Sequence, residues 1–362
     1  MDLFSFGALA RNTLWMILGQ GLRLVVQFAY FVLIARVLHK DGYGAFSGAV
    51  ALVAVLAPFA GWGSGSLLVK NVARDLSCFP LYWGRALTVS CVSAAALIAL
   101  ALMLAYWILP SSVSLLVVLC IAISDLLFAR LLEVAGQAFQ AVHQLAKTAA
   151  LWVLLSVARL LAVLVLIHVH SADDLMTWSW LYLLGTAVVA AGACAWVTMQ
   201  LGRPDWRMSD WRREFSEGFF FAASVSAQRI YMDSDKALLT RLASLEAAGI
   251  YAAASRMLDV AFVPVNALLS ATYTRFFMHG TQGVDGTIRF SKRLLPYALA
   301  YSAMAGIGLY LLAPLIPLML GQGFYDAIAA VRWLAVVPLL MTLHRLAADS
   351  LTGAGKQTVR TH

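Results

Sequence analysis

Charged residues are scarce in this chain. Asp, Glu, Lys and Arg together make up 12% of its 362 residues, whereas 62% are apolar. Soluble domains carry about 25% charged residues, so the composition excludes an ordinary soluble fold. The mean hydropathy is +0.82, and almost the whole chain divides into apolar runs long enough to cross about 30 Å of hydrocarbon. The sequence therefore predicts a polytopic membrane protein.

Several kinds of motif are also absent. No GxSxG, HExxH or P-loop motif indicates an enzyme. The short alternating segments that are typical of a membrane β-barrel do not occur, so the spans are predicted to be helices. Cysteines are single and scattered, without a CxxC pair or a Cys/His cluster, which predicts neither disulfides nor a metal site or other cofactor. They are Cys78, Cys91, Cys120 and Cys194.

The length and spacing of the apolar runs predict ten transmembrane helices. Their approximate ranges are Thr13–Ala35, Ala45–Leu68, Leu81–Leu109, Val113–Ala135, Thr148–Val169, Leu175–Met199, Gly218–Leu239, Gly249–Ala271, Leu294–Leu318 and Ala327–Leu346. Lys and Arg concentrate in alternate connections, as they do in cytoplasmic loops. This distribution places both termini in the cytoplasm and explains the net charge of +8 without a nucleic-acid partner.

Two segments echo each other at a constant offset. ARVLHKDGYGAFSGA and TRLASLEAAGIYAAA align Arg36 with Arg241 and Gly44 with Gly249. Both copies start from the cytoplasmic side, so the repeat is parallel, as in many alternating-access transporters. A coincidence between similar membrane loops is the alternative. A repeat predicts two pseudo-symmetric lobes: residues 1–200 with spans one to six, a cytoplasmic linker at 201–216, and residues 217–362 with spans seven to ten.

A family resemblance extends over most of the chain. Polysaccharide-biosynthesis flippases open with a stretch similar to RNTLWMILGQGLRLVVQFAYFVLIARVLHKDGYGAFSGAVALVAVL, followed by one similar to GWGSGSLLVKNVARD. Their seventh and eighth spans resemble DSDKALLTRLASLEAAGIYAAASRM, and the loop after their tenth span resembles LTGAGKQ. They include the O-antigen translocases of the multidrug/oligosaccharidyl-lipid/polysaccharide exporter superfamily. Members usually have twelve to fourteen spans, so the second lobe here is expected to be short or truncated.

The resemblance implies a substrate and a mechanism. Such a flippase moves an undecaprenyl-diphosphate-linked oligosaccharide from the cytoplasmic to the periplasmic leaflet of the bacterial inner membrane, for O-antigen, capsule or exopolysaccharide synthesis. The resemblance also implies alternating access and coupling to a proton or sodium gradient. Besides the lipid bilayer, the implied partners are a glycan polymerase and a chain-length regulator.

Polar side chains inside the spans form the candidate site, because ionisable groups at bilayer depth are costly and face cavities or partners. An anionic diphosphate needs cationic and hydrogen-bonding walls. The predicted substrate-binding residues are Gln20, Arg23, Gln27, Arg159, Gln228, Arg229 and Arg256. The predicted coupling-ion or charge-balancing residues are Asp125, Asp233, Asp235 and Asp259.

These groups also have structural interpretations. The polar face of span one could be a seam against another helix. Asp125 could pair with Arg23 or Arg159, and Arg130 could neutralise Glu133 three residues along the same helix. The charged pair in span eight has the same three-residue spacing.

Three other functions remain open. A multidrug or other-lipid exporter would share the fold, although a cationic cavity disfavours cationic drugs. A membrane-embedded glycan-assembly enzyme usually carries a large extracytoplasmic loop, and the predicted outside loops are short. A non-transporting scaffold would be compatible with a short second lobe.

Overall fold

The computed structural model describes the backbone of residues 6–169, 173–207, 235–280 and 283–354. These ranges are helical and contain no strand, which confirms the all-α prediction. The first helices are α1 (Phe6–Leu56), α2 (Ser64–Val72), α3 (Phe79–Ile108), α4 (Leu115–Ala122), α5 (Ala129–Ala141), α6 (Leu145–His168) and α7 (Asp174–Leu201). The later helices are α8 (Leu245–Gly280), α9 (Gly283–Leu312), α10 (Ile316–Leu320), α11 (Ala327–Leu334) and α12 (Val337–Gly353).

Eight helical segments of the described chain are long and apolar enough to cross a membrane. The first segment, Gly21–Phe59, contains two helices, because the backbone of His39 inside α1 is not helical (φ 54°, ψ −177°). This break lies between predicted spans one and two. Most of predicted span seven, Gly218–Leu239, lies outside the described residues.

Local sequence sets where several helices begin. The Asp173 carboxylate accepts the backbone N–H of Met176 at 3.0 Å and caps α7. The Ser114 hydroxyl accepts from the N–H of Leu116 at 3.3 Å and caps α4. Such side chains satisfy N–H groups that have no partner within the helix.

The second predicted span, Ala45–Leu68, is interrupted. Between α1 and α2, Gly61 (φ 77°), Trp62 (φ 43°) and Gly63 (φ 70°) adopt left-handed backbone conformations in succession. Glycine adopts this region at little cost, so the GWG sequence was the available signal for a break. The prediction of one continuous helix is wrong here.

The fourth span keeps its helical course but changes its pitch. Helices α4 and α5 are joined by six π-helical residues, Ile123–Phe128. Short π-helical turns are rare and often occur at functional sites. This turn carries Asp125, one of the predicted acidic site residues.

By its internal contacts, the chain divides into two units, Met1–Gly249 and Ile250–His362. The core of the first is built from α2, α3, α5, α6 and α7, and fully buried Trp83 and Phe139 lie in it. The core of the second includes Val265, Phe276 and Ala298. The predicted lobe boundary at residue 217 lies outside the described residues and stays a prediction.

The beginning of the predicted linker lies against α3. The backbone N–H of Asp205 donates to the carbonyl of Pro80 at 2.8 Å, and a Cβ at Gly84 would overlap the Asp205 carbonyl. Arg207 pairs with the Asp205 carboxylate at 2.6 Å. The hydrogen bond from the Arg207 side chain holds the pKa of Asp205 below its usual value. The linker therefore leaves α7 along a fixed path.

Candidate functional site

Arg23 is the predicted cation of span one, and its side chain is half-buried. Its guanidinium lies over the indole ring of Trp152 on α6, 4.9 Å from the ring centroid. This cation–π contact orients the guanidinium plane without removing its charge. Gln27 is also half-buried, whereas only the backbone of Gln20 is described.

Asp125 forms a polar cluster with residues of two other helices. Its carboxylate accepts from Arg159 Nη2 at 3.0 Å. The Tyr182 hydroxyl donates to both carboxylate oxygens, at 3.0 and 3.1 Å. Neighbouring Ser124 donates to the hydroxyl of Thr186 at 3.0 Å. We call these five residues the Asp125 cluster.

Aromatic rings surround the Asp125 cluster. The Arg159 guanidinium lies 4.3 Å from the centroid of the Tyr182 ring. Trp178, which is fully buried, lies 5.7 Å from the ring of Tyr30 and 5.8 Å from that of Phe46. Sequence reasoning missed Trp178 and Tyr182. Their four-residue spacing, which places both on one face of α7, was the available signal.

The predicted Arg130–Glu133 pair forms on α5, with Arg130 Nη1 donating to Glu133 Oε2 at 2.8 Å. The Arg130 side chain is 11% exposed and that of Glu133 is 39% exposed. The pair therefore extends from the interior of the first unit towards its surface, with the cation on the inside.

Three of the four predicted site residues of span seven lie outside the described residues: Gln228, Arg229 and Asp233. Asp235 is exposed at the start of the helical residues 235–242, and its carboxylate accepts the backbone N–H of Lys236 at 2.8 Å. Its role in ion coupling stays a prediction.

The second unit contains the remaining predicted residues. Arg256 is half-buried and Asp259 is exposed on α8, but the ion pairs of the described residues do not include one between them. Helical spacing permits such a pair and does not enforce it. A cation that sequence reasoning missed is Arg345 on α12, which donates to Asn266 on α8 and lies 3.9 Å from Asp349.

The two echo segments contact each other inside the first unit. An added Cβ at Gly44 would overlap the carbonyl of Leu245, and one at Gly249 would overlap the carbonyl of Lys40. The repeat offset relates Gly44 to Gly249 and Lys40 to Leu245, so the two close approaches are equivalent. Reciprocal contacts of this kind indicate a local two-fold relation. Lys40 also forms an ion pair with Glu246 beside this contact.

A family model described as polysaccharide biosynthesis protein matches residues 9–279. The chain belongs to this family. A search of curated proteins found no match. Family membership, together with the multi-pass helical fold, supports a membrane transporter.

Three solved structures of transporters share this fold. A multidrug resistance MATE family transporter of the MOP superfamily, in an inward-facing conformation, aligns at 14% identity with a TM-score of 0.69, over 96% of this chain and 82% of that one. An outward-facing structure of such a transporter aligns at 16% identity with a TM-score of 0.59, over 98% of this chain and 83% of that one. A MOP superfamily transporter from Pyrococcus furiosus, described as having a binding pocket of reverse polarity, aligns at 14% identity with a TM-score of 0.54. That alignment covers 98% of this chain and 83% of that one. These likenesses show the fold, which has two lobes.

Proposed function

We propose that the protein moves an undecaprenyl-diphosphate-linked oligosaccharide from the cytoplasmic to the periplasmic leaflet of a bacterial inner membrane. Alternating access between two lobes would carry the substrate, in the synthesis of O-antigen, capsule or exopolysaccharide. Family membership supports the class of cargo, and the Lys/Arg distribution supports cytoplasmic termini and the direction of transport. A glycan polymerase and a chain-length regulator are the proposed partners.

The observation that carries the proposal is the position of Arg23. It is a permanently charged group within a membrane-spanning segment, held against the indole ring of Trp152. An oriented guanidinium presents two parallel donors that match phosphate oxygens. We assign Arg23 to the diphosphate and propose Gln20, Gln27, Gln228, Arg229 and Arg256 as further substrate contacts.

Arg159 receives a different assignment. Its guanidinium is bonded to Asp125 and stacked on Tyr182, so we propose that it stabilises the first lobe rather than contacting the substrate. The Asp125 carboxylate has three short contacts from Arg159 and Tyr182 and is therefore a poor site for a transported cation. Asp233 and Asp235 remain the candidates for coupling to a proton or sodium gradient, with Asp259 as a charge-balancing residue.

Substitution of Arg23 tests the assignment. We expect Arg23→Ala to abolish surface glycan, and Arg23→Lys to retain part of it, because lysine keeps the charge and loses the planar fork. Arg229→Ala is expected to act like Arg23→Ala. Surface glycan and the amount of membrane-inserted protein are measured together.

Arg207→Ala is the matched control, because it removes a cation whose side chain is 83% exposed in the linker. It should leave glycan export unchanged. Wild-type export by both Arg23→Ala and Arg229→Ala would refute a cationic substrate site.

A multidrug exporter is the second candidate, since the structural neighbours include multidrug resistance transporters. Purified protein in proteoliposomes separates the alternatives. Movement of a labelled lipid-linked oligosaccharide from one leaflet supports the flippase. Efflux of cationic dyes without lipid movement supports the exporter. Absence of both, in vesicles shown to contain folded protein, would favour a scaffold or an enzyme that needs other components.

A further inference from the structure

Trp152 lies on α6 beside Arg23 and faces the protein rather than the lipid. Tryptophan in membrane proteins is enriched at the interfaces, where its ring sits among the lipid headgroups. Leu154 and Leu161 lie on the opposite face of α6 and are exposed, as lipid-facing residues are. Trp152 itself is half-buried, with the Arg23 guanidinium over its ring. Its ring is therefore not a lipid anchor.

Helix α5 holds the nitrogen edge of the Trp152 indole. A Cβ built on Gly136 of α5 would lie 4.0 Å from Trp152 Nε1, so this edge of the ring lies close to the α5 backbone. One helical turn before Trp152, the buried Thr148 hydroxyl donates to the Gly136 carbonyl at 2.9 Å. This hydrogen bond ties α6 to α5 next to the ring. The indole is therefore fixed by α5 while its face lies 4.9 Å from the guanidinium carbon of Arg23 on α1.

The same face of α6 carries a second guanidinium that lies against a ring. Arg159 is seven residues, or about two helical turns, beyond Trp152. Its guanidinium lies 4.3 Å from the centroid of the Tyr182 ring, and its Nη2 bonds the Asp125 carboxylate at 3.0 Å. In this protein, a ring against a guanidinium thus leaves N–H groups at the edge directed at an anion.

The contact with Trp152 also reduces the cost of binding an anion. A flexible arginine side chain loses rotational freedom when it binds a phosphate in one orientation. The attraction of the indole for Arg23 is present before the substrate arrives, so less of that freedom remains to be lost. Tryptophan attracts cations more strongly than the other aromatic residues do. Trp152 is therefore expected to raise the affinity of Arg23 for a diphosphate without contacting the diphosphate itself.

We propose that Trp152 is a positioning residue of the substrate site, which fixes the Arg23 guanidinium for the diphosphate of a lipid-linked substrate. The assignment rests on the proposed function, because Arg23 must bind the diphosphate for its orientation to matter. A lipid without the diphosphate gains nothing from an oriented guanidinium. Trp152 therefore contributes to the selection of lipids with this headgroup.

Binding of two lipids by the purified full chain in detergent tests the proposal. Undecaprenyl diphosphate carries the anionic headgroup, and undecaprenol has the same hydrocarbon chain without phosphate. Calorimetric titration gives the Kd for each lipid, and Tm shows that each variant is folded. We expect Trp152→Leu to weaken binding of undecaprenyl diphosphate about tenfold and to leave binding of undecaprenol unchanged. Trp152→Phe keeps a ring and should lose only about twofold.

Further variants distinguish positioning from packing. Arg23→Lys keeps the charge but has no guanidinium plane for the ring to fix. In that background, Trp152→Leu should weaken diphosphate binding by no more than about threefold, because the two changes remove the same interaction. Trp180→Leu is the matched control, since Trp180 is 46% exposed on α7, and it should change neither Kd. If Trp152→Leu does not fold, Trp152→Phe is compared in the same two backgrounds.

Two results would overturn the proposal and leave the proposed function standing. One is that Arg23→Lys weakens binding of undecaprenyl diphosphate and Trp152→Leu does not. The other is that Trp152→Leu causes the same loss in both backgrounds or for both lipids, which would show that Trp152 acts through packing alone. Equal affinity of the wild-type protein for the two lipids would refute the diphosphate site itself, and the role of Trp152 with it.

Discussion

The fourth span carries two half-buried charges that the fold pairs in different ways. Asp125 and Arg130 are only five residues apart. The Asp125 carboxylate is bonded by Arg159 and Tyr182 from two neighbouring helices. Arg130 has one carboxylate partner, on its own helix, and its Nε, like that of Arg159, is buried without a hydrogen-bond partner among the described residues. A charge in a membrane helix is thus paired either across helices or within its own helix, and only the first kind of pair depends on how the helices pack.

The largest expected effect comes from opening the Asp125 cluster. Asp125→Ala leaves the half-buried Arg159 guanidinium without its counter-charge. Loss of one partner of a fully buried pair costs about 3–5 kcal/mol, and about a fifth of each side chain is exposed here. The free energy of unfolding in detergent, measured by denaturant titration, should therefore fall by up to that amount.

Replacement of the whole interaction should behave differently. The triple variant Asp125→Leu, Arg159→Met and Tyr182→Phe removes together the three groups that bond one another. Stability should return to within about 1 kcal/mol of wild type or exceed it. A single Asp125→Ala variant as stable as wild type would show that the Asp125–Arg159 pair does not contribute to stability.

The second effect concerns the space beside Arg130. Gly61→Ala places a methyl group 2.5 Å from Arg130 Nε at a left-handed backbone position, and overpacking of this kind costs about 1–3 kcal/mol. Gly192→Ala is the matched control, because a Cβ there meets nothing within 4 Å. In a helix interior, that exchange should stabilise by about 0.5–1 kcal/mol. Equal effects on Tm would contradict the close packing around Gly61.

The smallest effect compares two fully buried serines, Ser124 and Ser90. Ser124→Ala removes the hydrogen bond to Thr186 and should cost about 1 kcal/mol. Ser90→Ala should cost less, because the Ser90 hydroxyl has no hydrogen-bond partner among the described residues. Parallel denaturant titrations check this. Equal losses would mean that both hydroxyls are paired.

Some contacts of the candidate site could be predicted from the sequence because they depend on helical spacing or on the few charges within the spans. The Arg130–Glu133 pair follows from helical spacing alone. Arg159 was one of two predicted partners for Asp125, since a mid-membrane carboxylate needs a cation and few were available. The equivalence of Gly44 and Gly249 was predicted from the repeat, but their direct contact in the structure was not predicted.

Other features depended on the packing of distant helices. Tyr182 and Trp178 are ordinary interfacial aromatics by sequence, and Ser90 is one small residue among many on α3. Whether they meet Asp125 or Arg130 depends on the rotation and depth of whole helices, which several weak packing contacts set together. The break at Gly61 was also missed, because a single GWG does not outweigh a long apolar run.

The sequence by itself determined the membrane class, the helical spans and the asymmetry of the loops. The reason is that lipid requires long apolar runs with internally bonded backbones, and that requirement is met within each segment. Only the tertiary structure decided which charges inside the spans pair across helices. Hydrogen bonds between side chains on different helices need distances near 3 Å, and no pattern along the chain specifies such distances between residues as far apart as Asp125 and Tyr182.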